Sequence, residues 1–408
     1  MNPPAGALSR SAQRRQAARE ARYPCVADLV EGARARLPSF VMATVEAGCG
    51  DNAVVRRNRA AFDDIALLPR HGFGRCEPSL SVSLFGRDYA SPFGIAPMGL
   101  GALVRPKLEE SLARAAQAAN IPYVLSTAAS AGLETIGRIA PDVLWFQLFG
   151  LPHNDHRCTF DLMRRAGELG VQTLVLTLDT PVRAHRPQDV RNRLAVPFRP
   201  GPAALLQMLG RPRWLADMLR AGPPGCESLR PYVDGPATPA DLVRFAATAI
   251  EGGFSWALVR RIRDRWPGRL VVKGVLHPAD AREARAVGAD GILVSNHGGR
   301  TFDAAPASLD MLPKVRAAGG DGAVMVDSGV RSGLDVVRAL ACGADMAFLG
   351  RPFLYAVAAL GEEGGDFLIR LLREDVRRTL CQIGVSTCAD LGKVETRSMR
   401  AGGAAHQP

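Results

Sequence analysis

The sequence predicts an α/β chain folded as a closed (β/α)8 barrel, the TIM-barrel class, on three observations. Eight short apolar runs recur along the chain, amphipathic stretches separate them, and no G-x-G-x-x-G follows the first run. Strands buried on both faces of a parallel sheet read as near-continuous apolar runs. Eight such βα units close into a barrel. The missing glycine fingerprint argues against the alternative, a doubly wound dinucleotide-binding sheet.

In chain order, residues 1–22 read as a flexible basic tail carrying Arg10, Arg14, Arg15, Arg19 and Arg22, and residues 26–65 read as helices with a boundary at Leu37-Pro38. The apolar runs are Phe93–Met98, Tyr123–Thr127, Val143–Phe149, Thr173–Asp179, Leu270–Gly274, Gly291–Asn296, Ala323–Asp327 and Met346–Gly350. Helical periodicity falls near 108–119, 133–139, 159–169, 256–265, 279–286 and 333–341, with a helical region after the eighth run. A Pro-rich insertion, about 187–236, breaks the rhythm after the fourth run. The barrel domain is expected over 23–395, and 396–408 as a flexible C-terminal tail.

Composition narrows the function classes. The chain has 408 residues, 47% hydrophobic and 22% charged, which is too apolar for wholesale disorder. No apolar run approaches the ~20 residues that cross a bilayer. The first 22 residues lack the apolar core of a secretory signal, so an intracellular, cytoplasmic protein is expected. Of the 51 basic residues behind the +11 charge, only Lys107, Lys273, Lys314 and Lys393 are lysine. They are scattered among acids without an aromatic stacking series, so no nucleic-acid partner is expected. An anionic substrate, cofactor or lipid surface accounts for the charge equally well. The eight cysteines form no C-x-x-C and no zinc spacing, so free thiols and no metal are expected.

The active site of a barrel gathers at the C-terminal ends of its strands. Those ends here are polar: Ser126 and Thr127, Gln147, Thr177 and Asp179, Lys273, Ser295 and His297, Asp327 and Arg331, Arg351. One such residue is usually a helix cap. Structural needs would not bring Lys, His, Asp and Arg to one rim together. After the seventh and eighth runs, Asp327-Ser328-Gly329-Val330-Arg331-Ser332-Gly333 and Leu349-Gly350-Arg351-Pro352 each offer glycine-exposed amides, an arginine and a helix start. That is the usual barrel position of a phosphate, and it suggests a phosphorylated cofactor such as FMN.

Val272-Lys273-Gly274-Val275, Ser295-Asn296-His297-Gly298-Gly299-Arg300 and the two phosphate-loop segments resemble the FMN-dependent α-hydroxy acid oxidase/dehydrogenase family. The resemblance spans about residues 25–390. The stretch from Ile121 to Phe149 looks most like the family's bacterial mandelate and L-lactate dehydrogenases. It implies that Pro97, Met98 and Gly99 line the flavin through backbone groups, and that Ser126, Gln147 and Thr177 hydrogen-bond its ring. Lys273 would face the N1/C2 edge, with Ser295, Asp327, Ser328 and Gly329 beside the cofactor and Arg331, Gly350 and Arg351 on its phosphate. His297 would be the catalytic base and Asp179 its carboxylate partner. Arg186 and Arg300 would hold the substrate carboxylate. The implied partners are a small 2-hydroxy acid and an electron acceptor, whether oxygen, quinone or another. A homotetramer is the implied assembly.

Two positions depart from the family pattern. Thr44 stands where a tyrosine normally helps bind the carboxylate, and Phe149 stands where a phenol normally meets the substrate oxygen. The pocket should therefore be larger or more apolar, suiting a bulkier substrate than lactate or glycolate. The alternatives are an FMN enzyme moved to a natural-product or peptide intermediate, and a catalytically silent flavin protein. The insertion alternates Leu205-Leu206, Met208-Leu209, Trp214-Leu215 and Met218-Leu219 with Arg211, Arg213 and Arg220. That composition suits docking at the inner face of a membrane, or equally a lid or a subunit contact.

Overall fold

The computed structural model describes residues 10–72, 74, 77–192, 200–250 and 253–399. The ends of both expected tails (1–9 and 400–408), residues 193–199 of the insertion and Cys76 lie outside them. Four helices lead in: α1 (Arg10–Arg22), α2 (Val26–Arg36), α3 (Ser39–Glu46) and α4 (Ala53–Asp63). Pro38 caps α3, as the Leu37-Pro38 reading requires. Residues 10–22 are thus helical, where a loose tail was expected; Arg19 pairs with Glu363.

Strand β1 (Ile65–Leu67) is followed by a hairpin, β2 (Val82–Leu84) and β3 (Arg87–Tyr89). Phe85 and Gly86 turn it, both at positive φ (55° and 80°), the backbone that two-residue hairpin turns demand. The barrel then winds through β4 (Phe93–Ile95), α5 (Leu108–Ala119), β5 (Tyr123–Ser126), α6 (Leu133–Ile139), β6 (Leu144–Leu148), α7 (His153–Glu168) and β7 (Thr173–Thr177). The insertion forms α8 (Pro187–Arg191), α9 (Pro202–Leu209), α10 (Pro212–Ala221) and α11 (Pro239–Ala249). The winding resumes with α12 (Trp256–Arg263), β8 (Arg269–Val275), α13 (Pro278–Ala286), β9 (Gly291–Val294), α14 (Ser308–Ala318), β10 (Ala323–Val326), α15 (Gly333–Ala341), β11 (Met346–Leu349), α16 (Arg351–Leu360) and α17 (Gly364–Ile383). The last strand, β12 (Thr396–Ser398), pairs antiparallel with β1, so the start of the expected C-terminal tail is anchored.

Eight parallel strands close in the order β4-β5-β6-β7-β8-β9-β10-β11, with β11 returning to β4. Each matches one of the apolar runs read from the sequence. Phe93, Ile95, Phe146 and Phe348 are fully buried, each stabilising the fold by about 1.5–3 kcal/mol. The hairpin seals the end opposite the strand C-termini. Phe85 lies against Gly291, the first residue of β9, and against Trp145, whose ring centroid is 5.7 Å away. Trp145 Nε1 donates to Tyr89 Oη at 3.1 Å.

The insertion is more ordered than its prolines suggested. Pro187, Pro202, Pro212 and Pro239 each open a helix, where the missing N–H costs nothing and the fixed φ helps. It docks through Trp214, edge-on to Phe40 and donating to Leu103 O at 3.0 Å. Leu206, Leu209 and Leu219 stay 67–76% exposed. Helix α14 was not foreseen; Pro313 interrupts its pattern. No helix among the described residues is long and apolar enough to cross a membrane. The described cysteines are all free, and burial pushes the Cys226 and Cys388 thiols up to about 12, so neither is a nucleophile. No group of His, Cys, Asp and Glu among the described residues is arranged to hold a metal.

Candidate active site

The polar residues of β5 to β8 interlock at the strand ends. Ser126 Oγ donates to Gln147 Oε1 at 2.8 Å, and Gln147 Nε2 donates to Thr177 Oγ1 at 2.9 Å. Thr127, named at the same rim, instead donates back to Gln147 O at 2.7 Å. Lys273 is 3% exposed; its Nζ donates to Ser295 Oγ at 2.8 Å and lies 3.3 Å from Asp327 Oδ2. The register of β8 against β9 shifts after Lys273, at Gly274. Gly274 has φ +96°, and a Cβ there would fall 2.6 Å from that of Asp179. Only glycine lets the strand turn there and the carboxylate lie so close.

His297 follows β9 with φ +59°, rare for a side-chain-bearing residue. Such a conformation costs about 1–3 kcal/mol and persists only where its surroundings over-determine it. Its Nδ1 lies 3.1 Å from Asp179 Oδ1, while Phe149 stacks nearly parallel (16°) at 6.3 Å. Burial alone would raise the Asp179 carboxyl, but the charges of His297 and Lys273 outweigh it and hold it below the ordinary range. The second oxygen, Asp179 Oδ2, is buried without a hydrogen-bond partner. Asp179 thus keeps its negative charge beside the imidazole.

The arginine side of the rim is arranged otherwise. Arg300 Nη1 donates to Thr44 O (3.0 Å) and Ala47 O (2.9 Å). Arg351 donates to Val45 O (2.8 Å), Gly298 O (2.9 Å) and Ala47 O (3.2 Å). Arg331 Nη1 donates to Val330 O, at 2.9 Å. None of the three has a salt-bridging carboxylate among the described residues. Burial, then the neighbouring Arg186 and Arg351, push Arg300 down to about 9; burial, then Arg351, push Arg331 down to about 10. Guanidinium does not give up its proton readily, so anions bound at this rim would relieve the crowding. Arg186 is partly neutralised already: its Nη2 lies 2.5 Å from Asp189 Oδ2. Thr44 Oγ1 donates back to Phe40 O at 3.0 Å, with Asp189 Oδ1 at 3.4 Å.

The glycine-containing loop after β10 is held by its own hydrogen bonds. Ser328, at φ +74°, donates to Asp327 Oδ1 (2.7 Å) and accepts from Gly298 N (2.8 Å). Arg331 N donates to Asp335 Oδ2 at 2.8 Å. A Cβ on Gly350 would fall 3.6 Å from Met98, so the β11 and β4 ends adjoin, with Pro97 and Gly99 in the same loop. Two arginines short of anions beside glycine-exposed amides, next to a belt of neutral donors and one buried ammonium, fit a phosphorylated flavin.

Two residues of this region were not singled out from the sequence. Asn58 exchanges hydrogen bonds with Asn296, and Arg59 holds Gly329 O and pairs with Asp335 at 2.7 Å. A signal was there: Asn58 falls in the buried stripe of α4 with Val54, Ala61 and Phe62, and a polar group in an apolar stripe needs a partner.

Comparison with known proteins agrees with this geometry. The family model for FMN-dependent dehydrogenase matches residues 33–397. L-lactate dehydrogenase of Yersinia pestis (strain Pestoides F) is 36% identical over 368 residues, 90% of this chain and 96% of that protein. The crystal structure of the monotopic membrane protein (S)-mandelate dehydrogenase superposes with a TM-score of 0.85 at 35% identity, covering 90% of this chain and 97% of that one. A mandelate oxidase variant with (S)-mandelic acid gives 0.77 at 32% identity, covering 92% and 99%. With nearly the whole chain matched and its barrel rim furnished for a flavin phosphate and a carboxylate, the protein belongs to the FMN-dependent dehydrogenase family and oxidises a 2-hydroxy acid to the 2-oxo acid.

Proposed function

We propose that this enzyme takes a mandelate-like 2-hydroxy acid, bulkier than lactate, and passes its electrons to a membrane-borne acceptor of the quinone class. The observation that carries the substrate is the Asp179–His297 pair faced by Phe149, with Arg300 three residues on, buried and without a carboxylate partner among the described residues. FMN, when bound, supplies the two-electron sink. Ser126, Gln147, Thr177, Lys273, Ser295 and the backbone of Pro97–Gly99 would hold its ring and ribityl side. Asp327, Ser328 and Gly329 would continue that wall, and Arg331, Gly350 and Arg351 would bind the phosphate.

Arg300 and Arg186 orient the substrate carboxylate through charge-assisted bonds. His297 Nδ1 is committed to Asp179, which leaves Nε2 to accept the substrate proton. Asp179 then stabilises the imidazolium. Lys273 would present its ammonium to the edge of the flavin that gains negative charge on reduction. Phe149 and Thr44 leave an apolar, roomier wall that suits an aromatic side chain. The exposed leucines of α9 and α10 support an interfacial location, with a homotetramer as the assembly.

Anaerobic addition of mandelate, lactate and glycolate to the yellow holoenzyme tests the reading. Mandelate should bleach the flavin fastest, and reoxidation should be faster with a soluble quinone than with oxygen. A second reading, a larger non-standard substrate, is favoured by the same Thr44 and Phe149. Failure of every simple 2-hydroxy acid to bleach the flavin would support it.

A further inference from the structure

Asn58 lies on α4, in the helical extension outside the barrel, and is 2% exposed. Its side chain and that of Asn296 form a closed pair. Asn58 Nδ2 donates to Asn296 Oδ1 at 2.8 Å, and Asn296 Nδ2 donates to Asn58 Oδ1 at 2.7 Å. The Asn296 amide cannot turn over, because each end has a second duty. Its Nδ2 also donates to Pro306 O at 2.9 Å, and its Oδ1 also accepts from Gly299 N at 3.2 Å. Asn296 N is held as well, by Ser308 Oγ at 3.0 Å. The next residue is His297, in its left-handed conformation. Asn58 O meanwhile packs on Gly329, where a Cβ would come within 2.7 Å.

We infer that Asn58 is a positioning residue for the catalytic base: its reciprocal amide pair fixes Asn296, and thereby the turn that aims His297 at both Asp179 and the substrate. A helix outside the barrel thus sets the alignment of the proton acceptor. The inference rests on His297 acting as the base. Buried polar pairs of this kind are satisfied together or not at all, and misplacing a reacting group by about 1 Å costs on the order of a hundredfold in rate.

The pair requires one donor and one acceptor on each side, which makes Asn58→Asp diagnostic. An ionised carboxylate only accepts, so it faces Asn296 Oδ1 with like charge. A protonated carboxyl restores the missing donor. Flavin reduction per bound FMN in Asn58→Asp should therefore fall about a hundredfold at pH 8 and recover toward the wild-type rate as pH is lowered, against the wild-type trend for a base that must be neutral. Asn58→Leu, similar in size, should be slow at every pH, with kcat reduced and KM for mandelate little changed. A wild-type rate in Asn58→Leu, or an Asn58→Asp deficit that is constant across pH, would overturn the inference. Loss of stability with an unaltered rate per bound FMN would show a role in helix docking only, and would overturn it equally.

A ¹⁵N-histidine titration reads the same coupling without turnover. The His297 signal, identified by its loss in His297→Ala, should move its midpoint in Asn58→Leu, and an unmoved midpoint would count against the inference. If mandelate and lactate fail to reduce the wild-type enzyme, the substrate reading falls while this titration still decides the role of Asn58. If a variant loses FMN, the titration is read on apo wild type against apo variant.

Discussion

The two sides of the barrel rim solve their electrostatics differently. On the β5–β8 side the polar side chains pair with one another: Ser126 with Gln147, Gln147 with Thr177, Lys273 with Ser295 and Asp327. On the other side, among the described residues, the side chains of Arg300, Arg331 and Arg351 donate to backbone carbonyls, and Arg351 repels both of the others. The first side is tied together within the protein; the second keeps guanidinium N–H groups that anions would take. Substitutions on the first should therefore act on the flavin ring and the chemical step, and substitutions on the second on anion binding.

The sharpest way to break that distinction is at its junction, where His297 joins Asp179. His297→Ala should lower the rate constant of flavin reduction by about 10²–10⁴-fold while FMN stays bound; stopped-flow absorbance and the flavin content of the purified variant check both halves. Next in size is Arg331→Ala. A charge-assisted hydrogen bond contributes about 1.5–3 kcal/mol, so FMN affinity should weaken roughly ten- to hundredfold by fluorescence titration. The apo variant should melt no lower than apo wild type, because a repelled charge has gone. A large loss of apo stability would mean the arginine side is not frustrated.

Phe149→Tyr should raise the reduction rate with mandelate by up to about tenfold, for ~1.4 kcal/mol gained in the transition state. Slower reduction with both mandelate and lactate would favour the non-standard substrate, since a buried unpaired hydroxyl costs energy. The smallest effect concerns Asp179. Its carboxyl is held below its ordinary value of 3.8, so its ion pair stabilises the fold above that pH, and the contribution is lost as pH falls through the lowered value. The Tm gap between wild type and Asp179→Asn should therefore narrow on acidification below about pH 3.8, as seen by circular dichroism.

The barrel was readable because eight strands buried on both faces leave eight apolar runs, and because Leu108–Ala119 and Leu133–Ile139 carry clean helical periodicity. The insertion does interrupt the βα rhythm, but its helices went unread because prolines mark helix starts as well as helix ends, and only the context at Gly201 or Arg211 separates the two. His297 and Asp179 lie within recognisable segments. Asn58 escaped because its partner is 238 residues away, and no spacing rule reaches that far. The sharing of Arg300 and Arg351 with α3 escaped for a related reason. Backbone carbonyls accept from any side chain, so they leave no residue signature.

That sharing ties α3 to the guanidinium groups that would take the ligand anions. Thr44 O, Val45 O and Ala47 O lie at the C-terminal end of α3, where a helix carries partial negative charge. Each guanidinium there has five N–H groups, so an anion can take the spare ones while the carbonyl bonds persist. Ligation would then tether this end of the helix, and by mass action a ligand at a hundred times its Kd adds about 2.7 kcal/mol to the folded state. Amide protons of α3, far in sequence from either phosphate loop, should exchange more slowly as the arginines find their anions.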